Sequence, residues 1–297
     1  MPKRILIQLD CDPQPSTFDA VVAVDAGADV LLRHGGVTPG NAESLVHGAM
    51  FTRGGADLTS TAIFVGGSDV AAAEAVAAVV RRTFFGPVRV GVLVDPAGAN
   101  TTAAAAVLAA GRHLPLAPES RPVCRALVLG GTGPVGQRVA RLLARRGAAV
   151  TVASRQLGRA EEIARRITAA VPGAELAAID WTGGPDREPA LARIVGEADL
   201  IVAAGAAGVT LLDAAGRTLA GSARVLIDLN AVPSAGIEGV LPTDKGRQAG
   251  SSVLYGALGV GGLKMRIHGA AIGRIFTSQD AFLDAEELYE LGAAIQG

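Results

Sequence analysis

Cysteine is scarce. The 297 residues hold two, Cys11 and Cys124, far apart and outside any CxxC pair. That count and spacing argue against a disulfide framework and against a thiolate zinc site. Four histidines are scattered and form no metal-ligand cluster, so no metal is expected. Charge of one sign is also missing: 27 basic against 28 acidic side chains leave a formal charge of −1. No global basic field exists to hold nucleic acid or an anionic membrane. Long apolar runs are absent too. The longest, near Ile201–Leu212 and Ala103–Ala110, fall far short of the ~20 residues of a membrane span. The N-terminal apolar stretch stops at Gln8 and Asp10, unlike a secretory signal. The chain therefore reads as a soluble protein of the reduced cytoplasm. Charged residues at 19% and apolar ones at 49% exclude disorder, and the length suits about two domains.

Glycine is abundant at 39 residues, while aromatics make up only 3%. Packing through small residues suits glycine-dense strand-to-helix turns, although a genomic bias toward alanine and glycine would give a similar composition. Short β-type runs alternate with helix-like runs, the pattern of a parallel sheet covered by helices on both faces. The first block reads as a strand at Arg4–Leu9, a helix opening near Pro15-Ser16, and a helix from Thr38-Pro39 to Met50. A strand at Thr61–Val65, a helix to Arg82, a strand at Val88–Val94 and a helix from Thr101 to Arg112 follow. The proline-rich segment His113–Pro122 marks a boundary. Beyond it, strands are expected at Cys124–Leu129, Ala149–Ala153, Glu175–Ile179, Leu200–Ala203 and Val225–Leu229. Two closing helices, about Leu258–Phe276 and Asp284–Ile295, have no strand of their own and are expected to pack back on the first domain. This predicts a discontinuous domain of residues 1–113 and 256–297, a Rossmann-type domain of residues 114–255, and a cleft between them.

Gly131-Thr132-Gly133-Pro134-Val135-Gly136 reads as GxGxxG. It follows a β-run and opens a helix, the context this fingerprint requires for dinucleotide binding. Gly131 is assigned the tight turn, Gly133 the close approach of a pyrophosphate, and Gly136 the close packing of helix on strand. The second strand ends in Ser154-Arg155, with Arg159 one turn on, where an NAD-preferring site usually carries an acid. A hydroxyl and a guanidinium suit a 2′-phosphate, so NADP is favoured and NAD remains possible. Arg155 also has an ordinary reading as a surface cation. Ala204-Gly205 and Asn230 lie at further strand ends facing the same crevice. Asn230 has two roles open, bonding a carboxamide or capping its own loop.

Several blocks together resemble one family. They include Ser16-Thr17-Phe18-Asp19, Thr52-Arg53-Gly54-Gly55, Phe84-Phe85-Gly86-Pro87, Asn100-Thr101-Thr102-Ala103, the glycine loop, and Gly256-Ala257-Leu258-Gly259-Val260-Gly261-Gly262-Leu263-Lys264. The chain is similar to bacterial NAD(P)-dependent methylene-tetrahydromethanopterin dehydrogenases. That resemblance implies a two-domain α/β subunit, a Rossmann-type domain and a pterin-binding domain completed by the C-terminal helices, related to methylene-tetrahydrofolate dehydrogenases. It implies a homo-oligomer, a trimer or a multiple of one. It also implies oxidation of the methylene carrier to the methenyl form in formaldehyde oxidation, with Phe18, Thr102, Lys264 and His268 around the pterin.

The chemistry fits what the sequence lacks. Hydride leaves a carbon held between two nitrogens, and the product cation is delocalised over both, so general acid–base groups are not required. Positioning and electrostatics remain. Lys264 and His268 are four apart and share a helix face. Lys264 is assigned a positioning role, since a cation beside a forming cation is unhelpful. Thr102 has an alternative reading as a helix cap, Phe18 as core, and His268 as a packing residue. Related enzymes that hydrolyse the methenyl product use a Tyr-xxx-Lys pair. Neither Tyr255 nor Tyr289 has Lys four residues on, so no cyclohydrolase activity is expected. Two alternatives stand beside this reading: methylene-tetrahydrofolate as the substrate, alone or as well, or a catalytically silent NADPH-sensing module, which would have no need of the pterin set.

Overall fold

The computed structural model describes residues 2–120, 122–183, 185 and 188–296; Arg121, in the expected boundary segment, lies outside them. The chain runs β1 (Ile5–Asp10), α1 (Thr17–Asp25), β2 (Val30–His34), α2 (Ala42–Phe51), β3 (Thr61–Gly66), α3 (Val70–Thr83), β4 (Gly91–Val94) and α4 (Ala99–Gly111). It continues through β5 (Arg125–Leu129), α5 (Pro134–Arg145), β6 (Ala149–Ser154), α6 (Leu157–Ala170), β7 (Leu176–Asp180), α7 (Pro189–Glu197), β8 (Leu200–Ala203), α8 (Ala214–Leu219) and β9 (Val225–Asp228). It ends with β10 (Lys245–Ala249), β11 (Ser252–Tyr255), α9 (Ala257–Ile275), β12 (Phe282–Leu283) and α10 (Ala285–Ala294).

Two compact units result, residues 1–101 with 265–297, and residues 102–264. The division falls inside α4 and α9, whereas the sequence put the boundaries in loops at 113–114 and 255–256. The first unit holds a five-stranded parallel sheet in the order β12-β4-β3-β1-β2. Strands β3 and β4 are buried along their whole length, which is why they read as continuous apolar runs. Helix α3 buries Val70, Ala73, Val76, Ala77 and Val80 on one stripe. The Asp69 carboxylate starts it by accepting from Ala72 N–H at 3.1 Å.

The second unit holds a seven-stranded sheet in the order β10-β11-β9-β8-β5-β6-β7. All its pairs are parallel except β10 with β11. Strand β5 lies between β6 and β8, so the chain winds outward from β5 in both directions. The crevice beyond their carboxyl ends is the topological switch point of a doubly wound sheet.

Five elements depart from expectation. Strand β2 is an added edge, half exposed, where no strand was expected. Helix α2 starts at Ala42 and not at Thr38, because Thr38–Asn41 closes a turn with Thr38 N–H donating to Asn41 Oδ1 at 2.8 Å. The β10–β11 hairpin was unforeseen because β10 is largely exposed and polar. Finally, β12 pairs with β4, so the closing helices do have a strand between them.

Candidate functional site

Strand β5 leads into the glycine loop, and each glycine there meets backbone. Gly130 has φ +69°, and a Cβ on it would come 2.6 Å from Gly205 Cα. The left-handed residue of the turn is therefore Gly130 and not Gly131. Gly131 is needed for another reason, since its Cβ would sit 2.7 Å from Val152 Cγ1 on β6. Gly136 fills the packing role expected of it. Its Cβ would lie 2.5 Å from Gly130 O, so only glycine lets α5 approach the strand end. Gly133 is the N-cap of α5, with no side chain capping the helix and Pro134 in the first turn. The first N–H groups and the positive end of α5 are thus presented to an anion.

A cavity of about 680 Å³ opens there. Gly130, Thr132, Gly133, Pro134, Ala204 and Gly205 line its floor; Ser154, Arg155, Gln156 and Arg159 line one side. Thr132 Oγ1 lies 3.2 Å from Ser154 Oγ, which also accepts from Gln156 N–H at 3.2 Å. Two guanidinium groups and no carboxylate face this cavity among the described residues. Of the residues named from sequence, Gly131 and Gly136 are buried behind the loop, and Val135 is off the lining. Asn230 is also off it. Its amide donates to Ser234 O at 2.8 Å and its Oδ1 accepts from Val232 N–H at 3.1 Å, so the side chain holds its own loop.

Sequence reasoning missed a further part of the wall, Trp181, Val209 and Leu211. The single tryptophan stands at the carboxyl end of β7, and the strand-end rule would have found it. Its Nε1–H donates to Leu211 O at 2.9 Å. Asp228, at the end of β9, is buried. It accepts from Asn230 N–H at 3.0 Å and Ile237 N–H at 3.1 Å, with a further bond from Gly236 N–H. Burial pushes its pKa up, against the pull of those N–H groups.

The other four named residues lie on helices, Phe18 and Thr102 in the first turn or so of α1 and α4, Lys264 and His268 in the middle of α9. Phe18 lies on α1 with 52% of its surface exposed, and its ring centroid is 6.4 Å from that of buried His268 on α9. Phe64 of β3 also stacks on His268, with ring centroids 5.8 Å apart. Lys264 is half-buried, one turn before His268 on α9. Thr102 does not cap α4, because it lies inside the helix. The capping group is Asp95, whose carboxylate accepts from Asn100 N–H at 2.9 Å, Thr101 N–H at 3.1 Å and Thr101 Oγ1 at 2.6 Å. Phe18 and His268 belong to the first unit, Thr102 and Lys264 to the second.

A glycine loop at the switch point of a doubly wound sheet, opening onto an uncapped helix, defines the second unit as a Rossmann-type dinucleotide-binding unit. Comparisons agree: residues 126–264 match the NAD dependent epimerase/dehydratase family, and residues 17–97 match the N-terminal domain of methylene-tetrahydromethanopterin dehydrogenase. A "Bifunctional protein MdtA" of Methylorubrum extorquens is 43% identical over 98% of each chain. An "NAD(P)-dependent methylenetetrahydromethanopterin dehydrogenase" of the same organism is 31% identical over the whole of each. The chain belongs to the methylene-tetrahydromethanopterin dehydrogenase family. Quinate dehydrogenase from Corynebacterium glutamicum in complex with NAD shares the fold, with a TM-score of 0.51, 15% identity, and coverage of 98% of this chain and 99% of that one. No helix among the described residues is long and apolar enough to cross a membrane.

Proposed function

We propose that the protein is an oxidoreductase that moves a hydride from methylene-tetrahydromethanopterin to NADP⁺, giving methenyl-tetrahydromethanopterin in formaldehyde oxidation. The observation that carries this reading is the cavity at the start of α5, with Arg155 and Arg159 on its side and no carboxylate on its lining among the described residues. Its glycines leave room that a Cβ would fill, and the uncapped helix suits a pyrophosphate. The two guanidinium groups suit a 2′-phosphate, so NADP is preferred and NAD is tolerated. Bound there, the nicotinamide ring supplies the hydride acceptor.

The chain's own residues bind and orient. Phe18, with His268 behind it, offers an apolar face for the pterin; Lys264 and Thr102 offer polar contacts. The unit that carries Phe18 and His268 is assigned the pterin, and the second unit the cofactor. No side chain needs to move a proton, because the product cation is shared between two nitrogens. No cyclohydrolase activity is expected. The protein is read as a cytoplasmic homo-oligomer.

Steady-state assays with both carriers, each with NADP and NAD, test the proposal. The methanopterin carrier with NADP should give the highest kcat/KM. Absence of cofactor reduction in all four pairs, from protein that binds NADP, would leave the silent sensor.

A further inference from the structure

The wall that the sequence did not foresee connects the two ends of the cofactor cavity. Trp181 follows β7 on the side of Ser154 and Arg155, where the adenosine half of a dinucleotide lies in a doubly wound sheet. Asp228 ends β9, beyond β8, on the side where the nicotinamide half lies. A continuous set of hydrogen bonds joins them. Trp181 Nε1–H donates to Leu211 O at 2.9 Å. Leu211 N–H and Leu212 N–H both donate to Gly236 O, at 2.8 and 3.0 Å. Gly236 N–H and Ile237 N–H donate in turn to the Asp228 carboxylate, the latter at 3.1 Å. The same carboxylate accepts from Asn230 N–H and so fixes the start of that loop.

This set is confined and tight. Trp181 is 7% exposed and Asp228 2% exposed, so water does not compete for their partners. A Cβ on Gly236 would come 2.7 Å from Asp228 Oδ1 and 3.2 Å from Ala203 Cβ, so the bonded backbone has no slack there. The Leu211 side chain packs against Gly205 on the cavity floor, where a Cβ would meet its Cδ1 at 2.6 Å. Movement at either end must displace the Leu211–Leu212 segment, and Leu211 lines the cavity.

We propose that Trp181, Leu211, Gly236 and Asp228 form a brace that holds the adenosine and nicotinamide halves of the bound dinucleotide in register, making Trp181 and Asp228 positioning residues. The proposal rests on the reading of the cavity as an NADP site and adds a coupling between its two ends.

The test crosses the ends, using the full chain. Trp181→Phe keeps a ring but removes the indole N–H; Asp228→Asn keeps the shape but removes an acceptor. Binding of adenosine 2′,5′-bisphosphate, measured by calorimetry, reports the adenosine end alone. Turnover at saturating NADP reports the nicotinamide end. Asp228→Asn should weaken the bisphosphate by about fivefold although Asp228 does not line the cavity, and Trp181→Phe should lower kcat by a similar factor, a size typical of coupled neighbours. The double variant should be no weaker than the more affected single. Gly236→Ala crowds the same carboxylate and should reproduce the Asp228→Asn pattern even if that variant folds poorly.

Unchanged bisphosphate affinity in both Asp228→Asn and Gly236→Ala, with an unchanged kcat in Trp181→Phe, would overturn the brace. Multiplicative effects in the double variant would overturn it too. If the parent protein bound neither NADP nor the bisphosphate, the cofactor reading itself would fall, and the brace with it. Binding and turnover by the parent without crossed effects would sink the brace alone.

Discussion

The two units each carry a largely parallel sheet, and they finish the strands ahead of α4 and α5 in opposite ways. In the first unit, β1 ends in Asp10 and β4 is followed by Asp95, both fully buried. Asp10 accepts from Asp12 N–H and Ser16 N–H at 3.0 Å each, and Asp95 accepts from the first N–H groups of α4. In the second unit, β5 is followed by Gly130 and β8 by Ala204-Gly205, and α5 begins without a side-chain cap. Ahead of α4 the first unit places its own carboxylate against the N–H groups, whereas ahead of α5 the second unit leaves them for an external anion and keeps its own buried carboxylate, Asp228, for the loop after β9. One architecture thus gives a strand edge neutralised from within and another that is a ready phosphate site. The fold alone does not decide which; the residue after the strand does.

Changes at the two edges should therefore fail differently. Gly136→Ala brings a Cβ against Gly130 O and should remove NADP binding altogether, with a stability loss of about 1–3 kcal/mol from overpacking. Calorimetric titration and thermal melting check both parts, and retained NADP binding would break the contrast. Arg155→Ala should come next, raising the KM for NADP about tenfold while the KM for NAD moves little, as expected for a lost charged hydrogen bond to a 2′-phosphate. Equal effects on both cofactors would remove that contact. Asp95→Ala strips the first unit of its internal anion and should lower stability by about 1–3 kcal/mol, the cost of buried N–H groups left without an acceptor. Its KM for NADP should stay at the parent value, measured by initial rates.

The smallest effect concerns pH. Arg247 donates two hydrogen bonds to the Asp244 carboxyl and holds its pKa below the ordinary 3.8, so the folded protein binds this proton less readily than the unfolded chain. The stabilisation it gives is complete well above pH 3.8 and fades as pH falls through the lowered pKa. Melting curves of the parent and Asp244→Asn should differ at pH 7 and converge toward pH 3. A gap that widened in acid would refute the assignment.

The contrast also explains what the sequence disclosed. Strands β3, β5 and β8 are buried on both faces and bounded by glycine turns, so composition and punctuation suffice to find them. The GxGxxG loop was legible because its constraints are local: each glycine answers to a backbone within a few residues or on the adjoining strands. Edge strands β2, β10 and β12 were not, since pairing with a neighbour and not burial makes them strands. The same limit hid the capping role of Asp95, which looks like loop until α4 folds onto it, and moved the left-handed turn from Gly131 to Gly130. Trp181 was open to the strand-end rule, but its link to Leu211 and Gly236 was least legible of all, being assembled from three separate segments of chain by bonds to backbone carbonyls that no side-chain pattern encodes.

The most direct test of the account follows the hydrogen itself. Methylene-tetrahydromethanopterin with both hydrogens of its one-carbon bridge replaced by deuterium would be oxidised with NADP in ordinary water, and the reduced cofactor analysed by mass spectrometry. Direct hydride transfer predicts one deuterium in every molecule of reduced cofactor. Reduced cofactor carrying hydrogen from the solvent, or no reduction at all by protein that binds NADP, would contradict it.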